Sequence, residues 1–497
     1  MVRKEPSRIV MFAAEVSPFA KVGGLGDVVG ALPKALEKLG AKPSIVVPAY
    51  KTVHQKRFDI RRCDLVPGFN VRMGSQVESA DIFQTRLEET SIDVYLIGSK
   101  KYFDRKGIYD DPATREGYRD NGRRFVFFMK AGLELLLRLR TPVDIIHCHD
   151  SHSALIPGII QTVYRNDPFY ANVGTLLTIH NLAFQGLYSK KMLDYAGIDS
   201  KHFYPMSPFE YWNKVNFMKA GILMADKVNT VSQTYAREIQ SSHEHGLGLE
   251  GVLQSRNGDV SGIVNGIDYE EWDPQKDPLI PAHFFTGDLT GKAKCKEHLQ
   301  KQLGLPHSRS RVPLIGIVSR LADQKGFDLI ADAIPEIVKL NLQLVVLGTG
   351  QRKYHELFHR VASQYPEKVA AHLSFNNELA HRIEAGCDMF LMPSKYEPCG
   401  LSQLYSLRYG TVPIVRATGG LADTVVNYDG EKGTGFSFTV YNSTEMIGAL
   451  KKSIAVYSDP LRWQALMIRA MSEDWSWNRS ADKYLHLYRS IYSKRNP

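Results

Sequence analysis

Strand and helix signals alternate from end to end of this chain, and they do so in two series. The apolar run over residues 8–15 reads as a buried strand. A glycine loop follows, then a helical stretch with Leu25, Val28, Val29, Leu32, Leu36 and Leu39 at three- and four-residue spacing. Pro33 falls inside that stretch and, lacking a backbone donor, is expected to kink or restart the helix. Further strands are expected at 43–48, 93–98, 143–147, 173–179 and 227–231, with helices across 123–139, from His152, and near 209–224. Such repetition predicts a mostly parallel sheet covered on both faces.

The pattern resets after the turn-rich stretch 258–277. A second series places strands at 313–319, 343–347, 369–375, 388–392 and 412–415, and helices from Phe327, across 352–362 and 378–384, and from Leu421. The residues after Glu473 read as a terminal helix. The fold class is therefore α/β, with two Rossmann-like doubly wound units expected to face a central cleft. Ligand loops in such units follow strand C-termini, so function is sought there.

Length and composition narrow the classes. With 497 residues, 43% hydrophobic and 23% charged, the chain is too long for one core and too apolar to be disordered. No apolar run approaches the roughly 18 residues that cross a bilayer. The start, residues 1–7, is short and polar, which leaves no room for a targeting peptide and suggests a cytoplasmic or already processed product. Five scattered cysteines without a C-x-x-C pair suggest reduced thiols rather than a disulfide or zinc framework. The net charge of +9 comes from basic residues spread along the chain, not from the clusters a nucleic-acid binder needs.

Several loops carry candidate chemistry. Lys21-Val22-Gly23-Gly24-Leu25-Gly26-Asp27 joins the first strand to the first helix: paired glycines allow close backbone approach, Lys21 adds a cation, and Asp27 enters the first turn. The spacing is neither a dinucleotide fingerprint nor a Walker loop. His147-Cys148-His149-Asp150-Ser151-His152 suggests a metal at first sight, but a closed site needs ligands from elsewhere, and hydrogen-bonded histidines at a strand end are the preferred reading. His180 and Asn181 follow another strand. Arg320 and Lys325 precede a helix from about Gly326, where two cations oppose the helix dipole unless an anion joins them; a diphosphate would suit both. Glu397, fixed before Pro398, leads into Cys399, Gly400, Leu401 and Ser402, and Thr418-Gly419-Gly420-Leu421 forms a second glycine loop.

In combination, K-V-G-G-L-G-D-V, H-N-L-A-F-Q-G, V-N-G-I-D, S-R-L-A-D-Q-K-G, S-K-Y-E-P-C-G-L-S-Q-L and T-G-G-L-A-D-T-V resemble the bacterial glycogen synthase and plant starch synthase family, in order along essentially the whole chain. The resemblance implies a GT-B glycosyltransferase that moves glucose from ADP-glucose to the non-reducing 4-hydroxyl of an α-1,4-glucan with retention, without a metal or other cofactor. It implies an acceptor-side domain over 1–262, a nucleotide-sugar domain over 263–473, and a terminal segment, 474–497, crossing back onto the first. The implied partners are ADP-glucose and a glucan primer, with no nucleic acid and no membrane, in a monomer or small homo-oligomer. The implied location is the cytoplasm, or the plastid stroma for a processed plant protein.

By motif, Lys21, Gly23, Gly24 and Asp27 are expected at the donor, with Asn265 of V-N-G. His180, with Asn181, is expected near the glucose 6-hydroxyl. Arg320 and Lys325 match the pair that neutralises the departing diphosphate, Glu397 the essential carboxylate, and Cys399, Gly400, Leu401 and Ser402 the backbone meeting sugar and phosphate. Two positions depart from the pattern: Ser151 stands where tryptophan is frequent, and Phe375 where a tyrosine is common beside the nucleotide. With no evident nucleophile–base pair, retention is expected through attack guided by the leaving phosphate, with Glu397 orienting glucose hydroxyls or stabilising an oxocarbenium-like centre. A UDP-glucose enzyme of the same fold and a catalytically weak glucan-binding or initiation scaffold are the alternatives; a phosphorylase would need a pyridoxal-phosphate lysine context that the sequence lacks.

Overall fold

The computed structural model describes residues 6–54, 58–114, 116–256, 258–307 and 312–496; residues 1–5 of the polar start read above lie outside them. The chain divides into two units. The first comprises Met1–Val231, Ala236–Gly266 and Trp477–Pro497, and the second Ser232–Tyr235 and Ile267–Ser476.

The first unit is built on a 10-stranded sheet. Its parallel part runs, edge to edge, Val260–Gly262, Lys227–Thr230, Gly174–Ile179, Ile145–His149, Arg8–Phe12, Lys42–Pro48 and Asp93–Gly98. Chain order therefore reverses between Arg8–Phe12 and Ile145–His149. An antiparallel extension, Arg61–Arg62, Gly68–Met73 and Gln76–Arg86, continues beyond Asp93–Gly98. The sequence reading contained no strands there, because these strands are half exposed and lack the apolar run of a buried parallel strand.

The helix Gly24–Lys38 passes through Pro33 without interruption, contrary to the expected restart. Its apolar side, with Val28, Leu32 and Leu36, is buried in the same cluster as Ile9 and Met11 of the first strand. Burying each such side chain contributes about 1.5–3 kcal/mol, which competes with the roughly 3 kcal/mol that an interior proline costs. The terminal helix, Trp477–Arg495, adds Trp477, Ala481, Tyr484, Tyr488 and Ile491 to that cluster.

Two other helices are shorter than expected. The one anticipated near 209–224 starts only at Phe217, where Asn216 caps it by accepting from the Lys219 N–H at 2.9 Å. Before it, Glu210–Tyr211 and Lys214–Asn216 pair as a hairpin whose turn residues, Trp212 and Asn213, both have positive φ. The helix anticipated from His152 begins at Ile156, with Pro157 in its first turn.

The second unit holds a 6-stranded, wholly parallel sheet in the order Val369–His372, Gln343–Leu347, Leu314–Val318, Met389–Met392, Val412–Arg416, Phe436–Phe438. Numbered within the unit, that is 3-2-1-4-5-6, the Rossmann order. Chain order reverses between Leu314–Val318 and Met389–Met392, and the crevice outside their C-terminal ends is where a ligand is expected.

Candidate active site

In the first unit, the loop leaving Arg8–Phe12 is organised by a residue that the motifs did not single out. Glu15, 4% exposed, accepts the backbone N–H groups of Val22 (2.6 Å) and Gly23 (2.8 Å) on one carboxylate oxygen and the Tyr109 hydroxyl (2.6 Å) on the other. Burial pushes its carboxyl above the usual range, against these three hydrogen bonds. The Gly23 amide is thus turned toward Glu15, while Gly24 opens the helix. Lys21 pairs with Asp27 at 2.5 Å; burial raises the Asp27 carboxyl and the Lys21 ammonium opposes that rise.

Across the reversal point, after Ile145–His149, Asp150 adopts φ 54°, a left-handed backbone unusual for a residue with a side chain. Its carboxylate accepts the backbone N–H groups of His180 (2.8 Å) and Asn181 (3.4 Å), so it fixes the start of the loop that carries both predicted residues. Burial pushes its carboxyl up to about 7, with those two amides pulling the other way. The His180 ring reaches the His149 ring at 3.0 Å, and desolvation pushes His180 down to about 3. His147 is held by hydroxyls on both ring nitrogens, Tyr488 at 2.8 Å and Thr178 at 2.5 Å. Asn265, also in this unit, is buried, and its Oδ1 has no hydrogen-bond partner among the described residues.

In the second unit, the two loops at the reversal point meet. Lys325 closes a short 3-10 turn before the helix Phe327–Ile337, and its ammonium donates to Glu397 Oε2 at 2.5 Å. Ser394 Oγ donates to the same oxygen at 3.2 Å. The sequence treated Lys325 as half of a cation pair and Glu397 as a separate carboxylate; the structure joins them. The pairing also answers the electrostatic difficulty of a cation near a helix N-terminus. Arg320 is exposed and donates to Gln324 at 3.1 Å.

Glu397 is held by its backbone as well. Gly420 N–H donates to the Glu397 carbonyl at 3.0 Å. A Cβ on Gly419 would lie 2.0 Å from that carbonyl oxygen, and one on Gly420 would lie 1.9 Å from the Cys399 carbonyl. Only glycines permit this approach. Gln403 donates to the carbonyls of Cys399 and Gly400, both at 3.0 Å. Arg416, absent from the sequence reading, donates to the carbonyls of Ser394 (2.9 Å) and Lys395. Leu401 and Ser402 begin the next helix, Ser402–Arg408. Phe375, beyond Val369–His372, is 85% exposed.

A cavity of about 880 Å³ opens elsewhere in the first unit, against Phe19, Arg61, Arg86 and Glu88. It contains none of the residues predicted from sequence. Lys21, Lys325 and Glu397 lie instead on loops that follow the strands at the reversal points, as do the buried Glu15 and Asp150.

Comparison with known proteins bears on the family and the fold. The starch synthase catalytic domain family matches residues 8–255, and the glycosyl transferases group 1 family matches residues 301–464. A glycogen synthase from Geotalea daltonii is 45% identical over 491 residues, covering 98% of this chain and 99% of the relative. One from Thermosipho melanesiensis is 42% identical over 491 residues, covering 98% and 100%. The chain belongs to the glycogen synthase and starch synthase family. Among solved structures, the catalytic domain of starch synthase IV from Arabidopsis thaliana, bound to ADP and acarbose, is similar with a TM-score of 0.89 and 34% identity, covering 99% of this chain and 100% of that one. A sucrose-phosphate synthase from Thermosynechococcus elongatus, at TM-score 0.60 and 16% identity over 98% and 100% of the two chains, shares the GT-B fold. Among the described residues of this family member, no helix is long and apolar enough to cross a membrane.

Proposed function

We propose that this chain elongates an α-1,4-glucan by transferring glucose from ADP-glucose to the non-reducing 4-hydroxyl, with retention of configuration and release of ADP. The observation that carries the reading is the Lys325–Glu397 pair at the reversal point of a Rossmann-ordered sheet, in a member of the glycogen synthase family. The starch synthase IV neighbour, bound to ADP and acarbose, supports the same ligand classes.

In this reading Arg320 and Lys325 neutralise charge that develops on the departing ADP. A preorganised cation at that position is worth more in the transition state than in the ground state, so it lowers the barrier rather than tightening substrate binding alone. Glu397, mounted on its glycine-packed backbone, orients the glucose hydroxyls or stabilises positive charge at the anomeric carbon. Cys399, Gly400, Leu401 and Ser402 supply backbone to sugar and phosphate, and Phe375 lies beside the nucleotide. Lys21, Gly23, Gly24, Asp27 and Asn265 serve the donor, while His180 and Asn181 contact the transferred glucose. Retention follows from acceptor attack on the face that the phosphate leaves.

The reaction needs no resident metal, since the two cations supply the charge stabilisation; EDTA should leave the rate unchanged. The five buried cysteines, none of them in a disulfide, suit a reducing compartment, the cytoplasm or a plastid stroma. The test is incorporation of labelled glucose into glycogen from ADP-glucose and from UDP-glucose. Strong incorporation from ADP-glucose is expected. Incorporation from UDP-glucose alone, or from neither donor, would overturn the reading.

A further inference from the structure

Three imidazoles form a column in the first unit. The ring centroids of His147 and His149 lie 4.0 Å apart, and those of His149 and His180 lie 5.3 Å apart, each pair inclined by about a third of a right angle. The mechanism above uses only His180, at one end. At the other end stands the terminal helix, whose Tyr488 hydroxyl contacts His147 Nδ1 at 2.8 Å.

The hydrogen bonds below the column run one way. Thr178 donates its hydroxyl to Asn229 Oδ1, so the Thr178 oxygen must accept from His147 Nε2. His147 is then protonated on Nε2, and its Nδ1 accepts from Tyr488. Asn229 passes its own amide to the Tyr484 hydroxyl of the same terminal helix, at 3.3 Å.

His149 faces a different constraint. It is fully buried; its Nδ1 meets His180 Nε2 at 3.0 Å, and its Nε2 has no partner among the described residues. One of the two facing nitrogens must carry the proton. If it belonged to His180, the proton of His149 would sit on Nε2 as a buried donor with nothing to accept it. Buried N–H groups with no acceptor are the rarer defect in folded proteins, so the proton is assigned to the facing Nδ1 of His149. Desolvation holds both rings neutral, so a doubly protonated ring does not intervene.

We propose that His149 is a positioning residue that fixes His180 as the tautomer protonated on Nδ1, with the terminal helix holding the column through Tyr488 and His147. His180 then turns an N–H donor, not a bare nitrogen, toward its ligand. It recognises an oxygen lone pair, as on a sugar hydroxyl, and does not act as a base toward that hydroxyl. The inference rests on the reading that His180 serves the transferred glucose, but it makes a statement about the free chain that can be measured separately.

The experiment is long-range ¹H–¹⁵N correlation on the full chain labelled with ¹⁵N-histidine, with the His180 signals identified by their loss in His180→Asn. Wild type should show a protonated Nδ1 and a bare Nε2 for His180. A protonated Nε2, or an even mixture, would overturn the proposal. His149→Leu should move His180 toward the Nε2–H form and lower kcat on the order of 100-fold, the scale for losing one preorganised donor, with KM for ADP-glucose nearly unchanged. His149→Gln, which can still donate an amide proton, should restore the wild-type tautomer and much of kcat. If His149→Leu kept both tautomer and kcat, the positioning role would be wrong. Should that variant not fold, the wild-type spectrum and His149→Gln decide the matter alone. Full activity in His180→Ala would remove His180 from the reaction while leaving the tautomer assignment standing.

Discussion

Chain order reverses in the first unit between Arg8–Phe12 and Ile145–His149, and in the second between Leu314–Val318 and Met389–Met392. Topology thus prepares the same kind of crevice twice, but the side chains furnish it differently. The first carries buried groups: Glu15 and Asp150 bound to backbone amides, and histidines held neutral by desolvation. The second carries cations: Arg320 is exposed, and Lys325 pairs with the buried Glu397. The difference teaches that strand order decides where a ligand loop stands, while burial decides what it can do. Buried neutral groups suit directional recognition of hydroxyls, and a cation suits a diphosphate.

If that division is correct, the largest losses come from the charged side. Lys325→Ala and Glu397→Gln should each lower kcat by about 1000-fold, with less effect on KM, in initial-rate assays with ADP-glucose and glycogen. A Lys325→Ala enzyme with unaltered kcat would break the comparison.

A smaller and different effect is expected from Glu15. Glu15→Ala frees the Val22 and Gly23 amides and should raise KM for ADP-glucose roughly ten-fold, the scale of about 1.4 kcal/mol for a lost hydrogen bond. Glu15→Gln keeps an acceptor oxygen for those amides and should retain most of the affinity. If both variants behaved alike, the loop would not depend on that contact.

Asp150 sharpens the contrast through pH. Its folded carboxyl, pushed up to about 7 by burial, binds its proton more tightly than in the unfolded chain, where the ordinary value is 3.8. Between pH 4 and 7 the folded state therefore holds more protons, and this residue's contribution to stability falls as pH rises. Calorimetric melting of wild type and Asp150→Asn at pH 5 and pH 7 should show the variant gaining relative to wild type at pH 7. A difference that does not change with pH would mean that Asp150 is ionised throughout.

The smallest effect is assigned to Phe375. It is 85% exposed, and Phe375→Ala should raise KM for ADP-glucose only about three-fold, within the roughly 0.5–1.5 kcal/mol of an aromatic contact.

The parallel strands were legible because, buried on both faces, they read as continuous apolar runs, and residues after them could be nominated as ligand groups. Lys325 and Glu397 were both named from such loops. Their pairing was not legible: they lie 72 residues apart, and only the 3-2-1-4-5-6 order puts their strands side by side. Glu15 was read as the last residue of an apolar strand; its signal was an acid ending that run just before a glycine loop. Asp150 was seen, but as part of a histidine cluster, since nothing in the local spacing shows a carboxylate turned back onto the loop at His180. Arg416 carries no motif at all and donates to backbone carbonyls that folding brings to it. The half-exposed strands over 61–86 were missed for want of apolar contrast, and the Trp212-Asn213 turn because it lacks the glycine that such hairpins favour.

The most direct test of the division of labour is ADP binding, measured by titration calorimetry on Lys325→Ala and His180→Ala. ADP carries the diphosphate but no sugar, so Lys325→Ala should weaken it at least about ten-fold, as expected for loss of a charge-assisted contact, while His180→Ala should bind it like wild type. Equal weakening in the two variants, or undiminished binding in Lys325→Ala, would contradict the assignment of Lys325 to the diphosphate and His180 to the sugar.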